Sequence, residues 1–205
     1  MEPGKRAVCS PSIGTLKPGV SSPAPTPGVP APRGVGDVMT ADKTAHVLDN
    51  FAETLSNAPD LHGVFTAAEA VAQTLIGHRL FTIMRFDAAR MVVERVHSSN
   101  PEAYPIGGRK PKRDSEWRRH VLEEGKVFIG HNSDDIRWVF DDSELILGLG
   151  LHAVLNVPIK SAGRIVGTMN LLDRTAHYRA RDAEIGAVIA AQLADVLDVS
   201  ASASD

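Results

Sequence analysis

The sequence predicts an α+β domain built around an antiparallel sheet, on three observations. Leu151–Asp173 reads as two β-rich runs flanking Lys160-Ser161-Ala162-Gly163-Arg164, a short polar connection with one glycine that marks a hairpin. Leu80–Phe86 and Met91–His97 repeat the pattern around the polar turn Asp87–Arg90. Segments of helical period stand at both ends, the last with Ile185, Val188, Ile189, Leu193, Val196 and Leu197 on a wide apolar stripe. A length of 205 residues fits one domain with extensions.

The later hairpin organises the rest. With its turn centred near Ala162, Ala153 faces Leu171, Leu155 faces Met169, Val157 faces Gly167 and Ile159 faces Ile165, all on one apolar face. The other face carries His152, Val154 and Asn156 on one strand and Thr168 and Asn170 opposite. A sheet with one dry face and one covered, partly polar face suits a ligand cavity, and a solvated polar face is the plain alternative.

Bulk properties remove several function classes. A formal net charge of -3 argues against nucleic-acid binding as the main business. Cys9 is the only cysteine, so the sequence offers no intramolecular disulfide, thiolate zinc site or redox pair. No apolar run approaches the length of a membrane span, and no apolar block comes after Lys5 and Arg6 as in a secretory signal, so a cytoplasmic protein is expected.

Residues 1–38 differ in composition from the rest of the chain: eight of the thirteen prolines fall in the first 32 residues and no aromatic precedes Phe51. Such a segment buries too little apolar surface to order itself, and a disordered arm is expected, with Met39 a second candidate start. A first helix is expected from Asp42 to Asn57 through Val47, Leu48, Phe51 and Leu55. Thr66-Ala-Ala-Glu69 reads as a capping box opening a second helix that stops at Gly77. Ser98–Lys112, with three prolines and Gly107-Gly108, reads as a long loop folding back on the domain. Asp114 is expected to cap a short helix whose Trp117, Val121 and Leu122 face inward, followed by a strand at Lys126–Gly130. Ser133 is expected to start another short helix, with a further turn over Asp142–Gly148. The last helix is expected from Arg181 to Asp198, closing a domain of residues 42–198 with a polar tail at 199–205.

Gly148-Leu-Gly-Leu-His-Ala-Val-Leu-Asn-Val-Pro158-Ile159 and Gly163-Arg-Ile-Val-Gly167-Thr-Met-Asn-Leu-Leu-Asp-Arg174, together with this order of elements, resemble the core motif of the GAF domain family. The resemblance covers the chain from Asp42 to Leu197. It implies a central antiparallel sheet, terminal helices on one face and a ligand pocket under short helices and loops on the other. The family's cyclic-nucleotide signature corresponds here to Asp173, Arg174, Tyr178, Asp182 and Ala183; the first and last depart from it, while Arg174 and Asp182 are placed to pair. Bilin attachment and methionine sulfoxide reduction, as the family performs them, use cysteines that the domain lacks. Haem-binding members use histidine, and the seven histidines between His62 and His177 show no metal-ligand spacing.

The candidate pocket residues are Asn156, Thr168 and Asn170 as hydrogen-bonding groups, toward a ligand or equally toward one another across the strands, with Asn170 resembling a ligand-contacting position of the family. Tyr104, Trp117, Trp138 and Phe140 come from the segments expected to roof that face, as core or as ligand platform. The basic run Arg109, Lys110, Lys112, Arg113, Arg118 and Arg119 reads mostly as a solvated helix face, with Arg109 beside Gly107-Gly108 as a candidate fork for an anion; His120, His131 and His152 are candidates for the cavity border, with a position toward water as the equal alternative. Asp134-Asp135 and Asp141-Asp142 read as helix caps. No nucleophile–base pair or paired acid stands out, so an enzyme is not expected. The expectation is a small-molecule-sensing regulatory domain for an unidentified ligand, an anion being one candidate class, with no cofactor named. It would act on a separate partner chain and form a homodimer through its terminal helices. A ligand-free interaction module is the rival.

Overall fold

In the computed structural model the described residues are 41–112 and 114–202. The expected proline-rich arm, the start at Met39, Arg113 and residues 203–205 lie outside them.

Six strands form one antiparallel sheet in the order β3-β2-β1-β6-β5-β4: β1 (Leu80–Asp87), β2 (Val92–Ser98), β3 (Arg109–Pro111), β4 (Phe128–Gly130), β5 (Ala153–Ser161) and β6 (Arg164–Asp173). Phe81 and Ile83 of β1, Leu155, Val157 and Ile159 of β5, and Met169 and Leu171 of β6 are fully buried on one face. They pack against α1 (Ala41–Asn57), α2 (Leu61–Leu75), α6 (Ala180–Gln192) and α7 (Ala194–Ser202) through Phe51, Phe65, Ile185, Ile189, Leu193 and Leu197. Each such side chain contributes roughly 1.5–3 kcal/mol by leaving water, so this layer anchors the fold. The other face carries the short helices α3 (Glu116–Arg118), α4 (Ser133–Val139) and α5 (Ser143–Gly148), with one π turn over Arg119–Glu123.

The β5–β6 hairpin turns on Ala162 and Gly163, whose φ angles of 47° and 78° fit a two-residue type I′ turn. An irregularity between Ile159 and Lys160 then shifts the pairing, so Leu155 faces Leu171, Val157 faces Met169 and Ile159 faces Gly167. This differs by two residues from the expected register. A slip of two preserves the side-chain parity, which is why the expected faces survive it. A second bulge lies in β2. Ile83 pairs with His97 and Met84 with Arg95, leaving Val96 as the extra residue. It turns Arg95 to the short-helix face while His97 joins the aromatic rings of Phe65 and Phe81 on the long-helix face.

Several expected boundaries move. The second helix starts at Leu61, where the Asp60 carboxylate accepts from the Gly63 N–H at 2.8 Å; Thr66 lies inside it and Glu69 reaches His97 at 2.6 Å. The long loop contains β3, an edge strand paired with β2 from Val92↔Pro111 to Glu94↔Arg109. Ser115 caps α3 in place of Asp114, and Asn132 caps α4 in place of Ser133. The Asp142 carboxylate makes no cap bond; it holds Lys110 at 2.8 Å. The last helix breaks at Leu193 into α6 and α7, and α7 runs through Ser202 into the expected tail. Among the described residues no helix is long and apolar enough to cross a membrane.

Candidate functional site

The short-helix face of the sheet holds a cavity floored by β1, β2, β5 and β6 and roofed by Tyr104, Lys112, Trp117 and the Val139–Asp142 segment. Register builds its floor. Thr82 pairs with Asn170 and Asn170 with Asn156, so three polar side chains stand in one row across β1, β6 and β5. The Trp117 Nε1–H donates to Asn156 Oδ1 at 2.9 Å, Asn156 Nδ2 to Asn170 Oδ1 at 2.8 Å, and Asn170 Nδ2 to Thr82 Oγ1 at 3.2 Å. Buried amides need such partners, since leaving one unmade costs about 1–3 kcal/mol. The row engages one N–H of each carboxamide, and each carries two.

One wall is cationic. Arg95 is 9% exposed, its guanidinium carbon stands 5.0 Å from the Tyr104 ring centroid, and its Nη1 donates to the Pro105 carbonyl at 3.1 Å. Its Nε and the Tyr104 hydroxyl are buried without a hydrogen-bond partner. The Lys112 ammonium sits 4.6 Å from the Trp117 ring centroid. Burial lowers the pKa of Arg95, and burial with the nearby Lys110 charge lowers that of Lys112. Burial first, and the Asp142 carboxylate second, push the Tyr104 hydroxyl up to about 12. Lys110 and Asp142 close the rim with their ion pair. The cavity volume is about 80 Å³, below the ~300–1,000 Å³ of drug-sized sites, so it suits a ligand of few heavy atoms.

Among the residues expected from sequence, Asn156, Thr168, Asn170, Tyr104, Trp117 and Phe140 come together around this cavity. Arg109 does not: it lies on the edge strand, 68% exposed and 3.1 Å from Glu94. The Gly107 N–H beside it donates to the Arg95 carbonyl, so the expected glycine–arginine anion fork is not assembled there. Trp138 is 48% exposed and packs on Phe128, and His152 bonds the Ser133 hydroxyl at 3.0 Å, both outside the cavity lining. Arg174 approaches Asp173 at 3.9 Å, while Asp182 accepts from the Arg179 N–H, replacing the expected Arg174–Asp182 pair. Sequence reasoning missed Arg95 and Thr82. A charged residue at an inward position, two residues from Val93, was the available signal for the first. Among the described residues no group of three or more histidine, cysteine or carboxylate side chains could hold a metal ion.

An antiparallel sheet with long helices on one face and a small roofed cleft on the other defines a class of α+β domain that presents a site on the face away from those helices. Within that class, the GAF domain family matches residues 58–198, and the chain belongs to the GAF family. No curated protein matches the chain. Among solved structures it resembles the GAF domain of a phosphoenolpyruvate-protein phosphotransferase from Coxiella burnetii, at 14% identity and a TM-score of 0.68, over 82% of this chain and 100% of that one. It also resembles the free methionine-R-sulfoxide reductase from Neisseria meningitidis in complex with its substrate, at 18% identity and a TM-score of 0.60, over 82% and 97% of the two chains. The phycocyanobilin-bound GAF domain of a cyanobacterial phytochrome matches at 18% identity and a TM-score of 0.61, over 78% and 97%. At these identities the likeness is one of fold.

Proposed function

We propose that this GAF domain is a sensory module that binds a small polar molecule against the Asn156–Asn170–Thr82 row and acts on a separate protein in the cytoplasm. The observation that carries this is the row itself, three buried polar side chains brought to one cavity from three strands. The same strands carry Leu155, Met169 and Ile83 onto the long-helix layer, so strain at the floor reaches α6 and α7 directly. A binding role is favoured over the redox chemistry of the sulfoxide reductase because Cys9, the only cysteine, falls outside the matched residues 58–198.

A second reading is a ligand-free interaction module. The small volume and the mutually bonded amides favour it. Native mass spectrometry of protein purified from its source separates the two. The sensor retains a small molecule, and Asn170→Leu, which costs about 1–3 kcal/mol but keeps the branched shape of the side chain, loses it while still giving a folded circular dichroism spectrum. Wild type free of any small molecule, or an Asn170→Leu variant that retains it at the wild-type level, overturns the sensor.

A further inference from the structure

Resting on the sensor reading and deepening it, we infer that the cavity takes a small monocarboxylate, its charge held by Arg95, Lys112 and the Tyr104 hydroxyl. Arg95 is more than nine-tenths buried, yet no carboxylate forms an ion pair with it among the described residues. Its Nη1 is used by the Pro105 carbonyl. That leaves the edge made by Nε and Nη2, the edge of a guanidinium that takes a carboxylate with two parallel hydrogen bonds. Nε on this edge is without a partner, and so is the Tyr104 hydroxyl whose ring the guanidinium covers. Two buried donors lacking acceptors, on neighbouring residues that line one cavity, are an uncommon arrangement, because each forfeits its hydration for nothing in return, and a small shift of the guanidinium would turn both toward a bound anion.

The charge balance selects the ligand class. Arg95, Lys110 and Lys112 line the cavity against Asp141 and Asp142, leaving one positive charge in surplus. Asp142 is committed to Lys110 at 2.8 Å, which leaves Arg95 and Lys112 as the pair without a direct counter-charge inside. A monoanion neutralises that surplus; a phosphate dianion overshoots it and faces the two aspartates at the rim. The carboxylate would sit on the cationic wall and the remainder of a short molecule on the amide row, within the small volume available. Gly108 leaves room for the Arg95–Pro105 contact, since a Cβ there would stand 3.2 Å from Arg95 Nη1.

The test uses as its reporter the indole N–H of Trp117, which donates to Asn156 while the ring carries the Lys112 ammonium. In ¹H–¹⁵N spectra of the full chain, Trp138→Phe identifies the Trp117 cross-peak. Acetate, pyruvate, inorganic phosphate and neutral acetamide are titrated at constant chloride. We expect acetate or pyruvate to shift the Trp117 peak saturably, at least tenfold more tightly than acetamide or phosphate. Lys112→Met should weaken that binding at least tenfold. Tyr104→Phe should weaken it several-fold while melting no lower than wild type, because the hydroxyl it removes is unpartnered. Acetamide or phosphate binding as tightly as the carboxylates, no saturable shift with any probe, or carboxylate affinity unchanged in folded Lys112→Met and Tyr104→Phe overturns the inference. A neutral molecule retained in native mass spectrometry and lost in Asn170→Leu would sink the carboxylate while leaving the sensor standing.

Discussion

Lys112 is held where its charge is costly. Burial is the first cause of its lowered pKa, and the Trp117 ring against its ammonium and the Asp141 and Asp142 charges offset that cost only in part. A lysine whose folded pKa lies below the ordinary 10.5 destabilises the fold at neutral pH, and the penalty is lost as pH rises from the lowered pKa to 10.5. Lys112→Met, which keeps a contact with the ring through sulfur, is therefore expected to melt higher than wild type at pH 7. The gap should narrow as pH approaches 10.5. Equal melting temperatures at pH 7, or a gap that widens with pH, would show that the amine is better solvated than the geometry implies. At this scale the sequence was legible where side-chain parity decides: Asn156, Thr168 and Asn170 emerge from alternation along one hairpin. It was opaque where a bulge intervenes. Without the extra residue Val96, Arg95 and His97 would share a face, so the alternation from Val93 that marks Arg95 gives His97 the wrong side.

The β5–β6 hairpin carries its own prediction. Gly167 stands opposite Ile159, and a Cβ there would collide with the Met84 carbonyl oxygen and with Leu197 Cδ2. Because one of these is backbone of the neighbouring strand, relief requires β1 and β6 to separate. Gly167→Val should cost about 3 kcal/mol or more, at the upper end of overpacking. Thr168→Val, one residue along on the cavity face, loses only a hydroxyl, about 1 kcal/mol. For a domain of this size the difference corresponds to roughly 4–8 °C between the two melting temperatures, with Gly167→Val the lower. Coincident melts would show that β6 does not pack as described. The element order and the faces were readable because apolar period survives a two-residue slip. Boundaries were less so, since several side chains compete for each helix start: Asp60, Ser115 and Asn132 win over Thr66, Asp114 and Ser133 by the bonds they make to the first-turn amides. The edge strand β3 escaped notice because its three residues are polar or proline and pair with β2 alone.

At the scale of the whole molecule, the apolar stripe of the last helical segment bears on assembly. From sequence it exceeds what one sheet face needs, and a homodimer through the terminal helices is the expected outcome. In the fold, Ile185, Ile189, Leu193 and Leu197 are buried within the single chain, between the sheet and the remaining helices. Beyond the break at Leu193, α7 keeps Leu197 against Gly167, so both halves of the stripe reach the same sheet. On α6 only Val188, 44% exposed, remains as a large apolar group facing outward, and single exposed residues of this kind are ordinary on monomers. Leu193→Glu with Leu197→Glu would bury two carboxylates in the core and unfold the domain, so it cannot report on assembly. The informative variant is Val188→Glu. Light scattering at tens of micromolar is expected to give a monomer for wild type, and Val188→Glu should leave both mass and melting temperature unchanged. A wild-type dimer that Val188→Glu dissociates would instead place the interface on the outer face of α6. The sensor's output would then pass from the cavity floor through Leu155 and Met169 to a second copy of the chain.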